Sequence, residues 1–231
     1  MMIDLNSDLG EGSPADADIL ALVTSANIAA GLHAGTPIGI AQTVRVAIDR
    51  GIALGLHPGY ADREHFGRVE LARSPDELAN ELAYQFGALD ALVRRLGGQL
   101  RYLKPHGALY HQASRDADFA RPIIDLAEQH GLALLGLPNS QLAAGSQGRC
   151  PFIAEGFADR RYRPDGTLVP RSEPGAFVHD ALEAVQQVEW LIREHAVRSI
   201  CVHGDNPQAL EFVRTLRQSL LAIGHEIRAF V

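Results

Sequence analysis

Short apolar and β-branched runs alternate along this chain with longer segments whose apolar residues return every three or four positions. The short runs predict strands at residues 3–8, 25–30, 52–57, 101–106, 132–137, 151–156 and 199–204. The longer segments predict helices near 16–23, 38–50, 75–97, 117–130, 140–146, 180–195 and 207–223. The closing "HEIRAFV" reads as an eighth strand or an edge segment. Successive β–α units imply a parallel sheet, because each helix carries the chain back to start the next strand in the same direction. An open doubly wound sheet and a closed barrel both satisfy that alternation. Seven units with no break in composition favour the barrel, as a single β/α barrel domain over residues 1–231. The most loop-like stretch is 158–176, rich in Pro, Gly and Arg.

Charge and composition remove several classes of partner. A net charge of −7 with the two signs interspersed leaves no basic stripe for a phosphate backbone, so nucleic acid is not an expected partner. No run approaches the ~18 apolar residues that cross a bilayer, so no membrane is expected either. "MMIDLNSDLGEG" lacks the basic-then-apolar order of a secretory signal, and the expected location is cytoplasmic. Cys150 and Cys201 have no metal-motif spacing and are expected to be reduced thiols without a role.

In a parallel α/β architecture the C-terminal ends of the strands gather at one face, where their side chains share a site. Asp8 and Glu11 follow the first predicted strand, His33 the second and His57 the third. The fourth brings Lys104 and His106, the sixth Glu155 and Asp159, and the seventh His203 and Asp205. Four of the ten histidines therefore fall at strand ends. Each has a bland alternative as a satisfied hydrogen-bonding group, and Pro and Gly in "HPG" and "KPHG" are ordinary turn chemistry. A Lys at the end of a buried strand is more informative, since it costs several kcal/mol unless it is paired or lines a wet site. Its structural alternative is a salt bridge to Asp8 or Glu155. Arg160 and Arg161 have the alternative of solvated loop charges, and the other six histidines are expected at the surface. Lys104 and His106, two residues apart, are expected on one side of the fourth strand.

Carboxylates beside imidazoles supply acids and bases near neutral pH, and Lys104 could stabilise a developing oxyanion. Asp8 with His33, His57 and His106 is also a candidate shell for a divalent metal such as zinc or manganese. There is no HxxxH or CxxC signature, and no G-x-x-x-x-G-K-[ST] phosphate loop.

"DLNSDLGEG", "NIAAGLHAGTP", "LGLHPGYADREHFGR", "YLKPHGALY", "EGFADRRYRPDGTLVPR" and "CVHGDNPQAL" follow one another in the order and spacing of the LamB/YcsF family, the A subunits of 5-oxoprolinase, which this chain resembles from Ile3 to about Leu210. The resemblance implies a distorted seven-stranded β/α barrel of the glycoside hydrolase/deacetylase kind. It implies ATP-dependent opening of the 5-oxoproline lactam to L-glutamate, with ATP as co-substrate and with partner subunits B and C. The polar motif residues it carries over are Asp8, Glu11, His33, His57, Lys104, His106, Glu155, Asp159, Arg160, His203 and Asp205. Ser7 and Ala30 stand where Cys is frequent, and Thr36 where an Asp is expected, which implies one acidic group fewer near the site. The segment 190–199 is shorter than usual. Two other readings remain: a metal-dependent deacetylase or amidohydrolase that needs no ATP, and a non-catalytic binding subunit.

Overall fold

A computed structural model describes residues 1–163, 166–203 and 209–231. In chain order it runs β1 (Met2–Leu9), α1 (Asp16–Ile19), β2 (Ser25–Ala29), α2 (Pro37–Asp49), β3 (Ala53–His57), α3 (Pro75–Arg95), β4 (Leu100–Leu103), α4 (Gly107–Arg115), α5 (Ala117–His130), β5 (Ala133–Gly136), α6 (Gln141–Gly145), β6 (Phe152–Phe157), α7 (Ala181–His195), β7 (Ser199–Cys201), α8 (Ala209–Ala222) and β8 (Glu226–Ile227). Every strand pairing is parallel. Each of the first six strands pairs with the next, and β1 pairs with both β2 and β7, so these seven close into a barrel. The eighth, expected as a strand or an edge, adds to the start of β1 through Met2 and Ile3.

The elements follow the sequence pattern, with a few departures. The seventh strand stops at Cys201, short of the expected 204, and the first helix stops at Ile19, short of 23. The fourth strand ends at Leu103 and does not reach His106. Pro105 has no N–H to continue a ladder, and the His106 N–H instead donates to the Pro58 carbonyl at 2.8 Å. An additional helix, α4, occupies 107–115, where no helix was predicted. Ala108, Leu109, Tyr110 and Ala113 bury its inner face, and Asp116, extended at φ −124°, ends it and caps α5 through the Asp118 N–H. Caps set other helix starts: Ser74 and Glu77 form a reciprocal capping box at α3, ahead of Pro75.

Strand alternation divides the side chains into two layers. The odd positions of β1, Ile3, Leu5 and Leu9, join the apolar core between barrel and helices. The even positions point into the barrel, and its lower interior is polar. Asp4 accepts from Thr24 at 2.6 Å and Ser25 at 2.7 Å, and also from Ser199. Asn6 donates to Ser199 at 2.8 Å and accepts from Asn27 at 2.7 Å, while the Tyr102 hydroxyl donates to Asn27 at 2.7 Å. A Cβ on Gly55 would lie 2.2 Å from the Tyr102 ring, so only glycine lets that ring cross the barrel. Phe230 closes the floor, edge-on to Tyr102 at 5.1 Å between centroids.

Candidate functional site

Above this polar floor the C-terminal ends of the strands surround a cavity of about 870 Å³. Asp8 is the penultimate residue of β1, Glu11 follows the strand, and His57 is the last residue of β3. Lys104 and His106 follow β4, Glu155 lies in β6, Asp159 and Arg160 follow β6, and His203 follows β7. His33, buried after β2, packs beneath this group. The structure thus brings together every described residue of the expected set, while Asp205 lies outside the described residues.

Lys104 is the hub of the deeper half. It is 2% exposed, and its Nζ lies 3.0 Å from Asp8 Oδ1, 2.8 Å from Glu155 Oε1, 3.3 Å from Asn6 Oδ1 and 3.1 Å from Cys201 Sγ. Burial alone would lower its pKa, but Asp8, Cys201 and Glu155 reverse that and hold the ammonium well above its usual range. An ammonium has three N–H groups, so these partners occupy all of them. Both salt bridges considered for Lys104 as alternatives are present together. Cys201, expected to have no role, is fully buried against this ammonium. Glu155 also accepts from the Tyr110 hydroxyl at 2.9 Å.

The upper half is a knot of three imidazoles and two carboxylates. His57 Nδ1 donates to the Lys104 carbonyl at 2.7 Å, and His106 Nε2 donates to the Phe66 carbonyl at 2.8 Å. These backbone acceptors fix both tautomers, so His57 Nε2 and His106 Nδ1 face each other 3.0 Å apart. Asp8 Oδ2 lies 3.4 Å from His57 Nε2, and Glu11 Oε1 lies 3.2 Å from both His106 Nδ1 and His33 Nε2. Burial depresses His57, but Asp8 outweighs it and the imidazole is raised overall. His106 is lowered by burial, and His33 is lowered by burial to about 4. Burial raises both acids, yet His57 and Lys104 at Asp8, and His106 and His33 at Glu11, hold each below the usual carboxylate range. His57 Nε2 therefore faces three possible partners: His106 Nδ1, Asp8 Oδ2 and Glu11 Oε1. Phe66 adopts φ +57°, a strained value for a non-glycine residue, and this aims its carbonyl at His106.

His203 stands apart from the knot. Its Nδ1 donates to Asp159 Oδ2 at 2.7 Å, leaving Nε2 as the acceptor, 3.0 Å from Arg171 Nη2 and 3.8 Å from Asp8 Oδ2. Arg171, Tyr110 and Tyr162, which also line the cavity, were not anticipated. Arg171 arrives from the 158–178 loop, which folds back through the bridges Arg160–Phe177 and Tyr162–Leu168, and no strand-end position signals it. Tyr110 comes from the unanticipated α4. Of the histidines expected at the surface, His111 and His195 line the cavity too. Thr36 does not bear on the site as expected: its exposed side chain caps α2, accepting from the Gly39 N–H at 3.1 Å.

A closed parallel β/α barrel with imidazoles and carboxylates at its C-terminal face places this chain in the architectural class of the polysaccharide deacetylases and glycoside hydrolases. A family 4 carbohydrate esterase from Streptomyces lividans shares the fold at 13% identity, with a TM-score of 0.56 over 100% of this chain and 93% of that one. The chain belongs to the LamB/YcsF family, whose model matches residues 3–231. It is 46% identical to the A subunit of 5-oxoprolinase from Methylococcus capsulatus, over 98% of this chain and 95% of that protein. The crystal structure of a lactam utilization protein from Thermus thermophilus is 37% identical and superposes with a TM-score of 0.91, covering 100% of both chains.

Proposed function

We propose that this chain is the lactam-opening subunit of an ATP-dependent 5-oxoprolinase, converting 5-oxoproline to L-glutamate together with partner subunits B and C. The observation that carries this reading is the placement of an Asp159–His203 dyad and of His57 on either side of one Asp8 oxygen, in a chain so similar to the Methylococcus protein. His203 Nε2, left as an acceptor by its bond to Asp159, gives up the Arg171 N–H and takes a proton from the water that adds to the ring carbonyl. His57, on the other side of Asp8 Oδ2, delivers its proton to the ring nitrogen as the C–N bond breaks. The water oxygen stays on the new carboxyl and the nitrogen leaves as an amine. Lys104 keeps Asp8 ionised and pairs with Glu155, and Glu11 orients His33 and His106. An unstrained amide is a poor electrophile, and the proposed activation is transfer of the γ-phosphoryl group of ATP to its carbonyl oxygen, with ADP leaving and the phosphate released by water once the C–N bond has broken.

The test is a coupled assay for glutamate and ADP on the chain with and without its two partner subunits. Glutamate release that needs ATP and all three subunits is expected, and its absence from the full assembly rejects the reading.

One observation favours a second reading. Of the expected shell, Asp8, His57 and His106 have donor atoms within 4.8 Å of one another, while His33 groups instead with Glu11 and His106. These residues fit a divalent cation, which when bound would acidify a water for attack without ATP. Stoichiometric metal in the purified chain, with amide hydrolysis abolished by a chelator and indifferent to ATP, would establish it.

A further inference from the structure

The cavity has a second wall whose charge the proposed chemistry leaves unused. Arg160 lines it while only 3% exposed. Its Nη2 donates to the Val169 carbonyl at 2.7 Å, but its Nε has no hydrogen-bond partner and its guanidinium pairs with no carboxylate among the described residues. Arg171 stands beside it: the two guanidiniums lie 5.6 and 5.5 Å from the centroid of the same Phe177 ring. His111 faces the same space with Arg115 and Arg68. It is pushed down to about 4, first by the surrounding protein and then by Arg160, Arg171 and Arg115. Its edge is exposed to solvent at the mouth of the cavity. Burial and the adjacent Arg171 likewise push Arg160 down to about 10.

Arg160 is a buried cation with no carboxylate paired to it among the described residues, which is costly unless an anion occupies the space beside its Nε. Guanidinium forks suit oxygen anions, binding them bidentately. The wall is also one side chain from the acid–base groups, because Arg171 touches His203 and His203 faces Asp8. We propose that Arg160, Arg171 and His111 form an oxyanion subsite that anchors an anionic group of the substrate while its carbonyl lies against His203 and Asp8. This rests on the lactam reading. The oxyanion is either the carboxylate of 5-oxoproline, three bonds from the ring carbonyl carbon, or a phosphate of the nucleotide. In a chain of net charge −7 with Asp8, Glu11 and Glu155 in the same cavity, either anion needs such a wall to enter.

The test is calorimetric titration of the wild type and of R160Q with 5-oxoproline, 2-pyrrolidinone, inorganic phosphate and ADP, on the chain and then on the assembly. 2-Pyrrolidinone is the same ring without the carboxylate. R160Q is expected to weaken oxyanion binding about 10–100-fold, the scale of a lost charge-assisted bond, and to erase discrimination between 5-oxoproline and 2-pyrrolidinone. Competition of phosphate with 5-oxoproline, both weakened in R160Q, marks the carboxylate as occupant. Simultaneous binding, with only phosphate and ADP weakened, marks the nucleotide. R171Q serves as the second variant should R160Q fail to fold. Unchanged affinity for every anion in the folded variant, an equal loss for the uncharged ring, or no oxyanion binding by the wild type in either form overturns the subsite. Arg160-dependent phosphate binding in an assembly that opens no lactam would leave the subsite standing and remove the lactam reading.

Discussion

Replacing Lys104 by Met keeps the length of the side chain and removes its charge. Asp8 and Glu155 then lose the cation that lies 3.0 and 2.8 Å from them, and Glu155 is fully buried. Breaking a buried ion pair from one side costs about 3–5 kcal/mol. The variant should therefore be destabilised by about 3–5 kcal/mol at pH 7. For a chain of this size that lowers Tm by roughly 6–20 °C. The deficit has a pH signature. In the wild type burial is outweighed by His57 and Lys104, which hold Asp8 below the usual carboxylate range, so the stability this contributes is present above the unfolded pKa and is lost as pH falls through the folded one. Thermal melts of both proteins from pH 3 to 7 check this, and the Tm gap should narrow below about pH 4. A gap below about 2 °C at pH 7, or one independent of pH, would refute the account of Lys104 as the counter-ion of two buried carboxylates. Turnover in the assembly should also fall, by about 10²-fold or more, because Asp8 no longer stays ionised beside His57.

Asp4, raised to about 6 by burial, is ionised at pH 7 at a cost of up to about 3 kcal/mol relative to the unfolded chain. That cost is absent below pH 4 and grows as pH rises to 6, so Asp4→Asn should gain on the wild type across this window; a Tm difference that is flat with pH contradicts it. Asp159→Asn can no longer hold the His203 tautomer, and turnover in the assembly should drop about 10²–10⁴-fold with the fold retained; unchanged turnover would remove His203 as the base.

The seven β–α units were legible because alternation of short apolar runs with helical spacing is a property of neighbouring residues. The ring of Asp8, His33, His57, His106, Glu155 and His203 was legible for a related reason: in a parallel barrel, strand ends are the site. Which imidazole faces which was not, since tautomers depend on carbonyls of Lys104 and Phe66 that only the fold brings near. The polar barrel interior left a signal in the alternation of Asp4, Asn6 and Asp8 with Ile3, Leu5, Ser7 and Leu9, and of Ser25 and Asn27 in β2. Arg171 left none, because an antiparallel excursion between 160 and 177 carries it to the site.

The closure of β1 has a consequence for synthesis. Its partner in β7 lies 195 residues downstream, as the Asp4–Ser199 contact measures. At about 5–20 residues per second a ribosome takes roughly 10–40 s to deliver it. Throughout that interval one edge of β1 has no intramolecular neighbour, and an open apolar edge invites pairing with another nascent chain. Asp4, Asn6 and Asp8 guard it: a strand with a carboxylate or amide at every second position is a poor template for a dry intermolecular sheet. A chain carrying Asp4→Val and Asn6→Val should therefore aggregate during translation, and equal soluble yields in a cell-free synthesis would contradict that protective role.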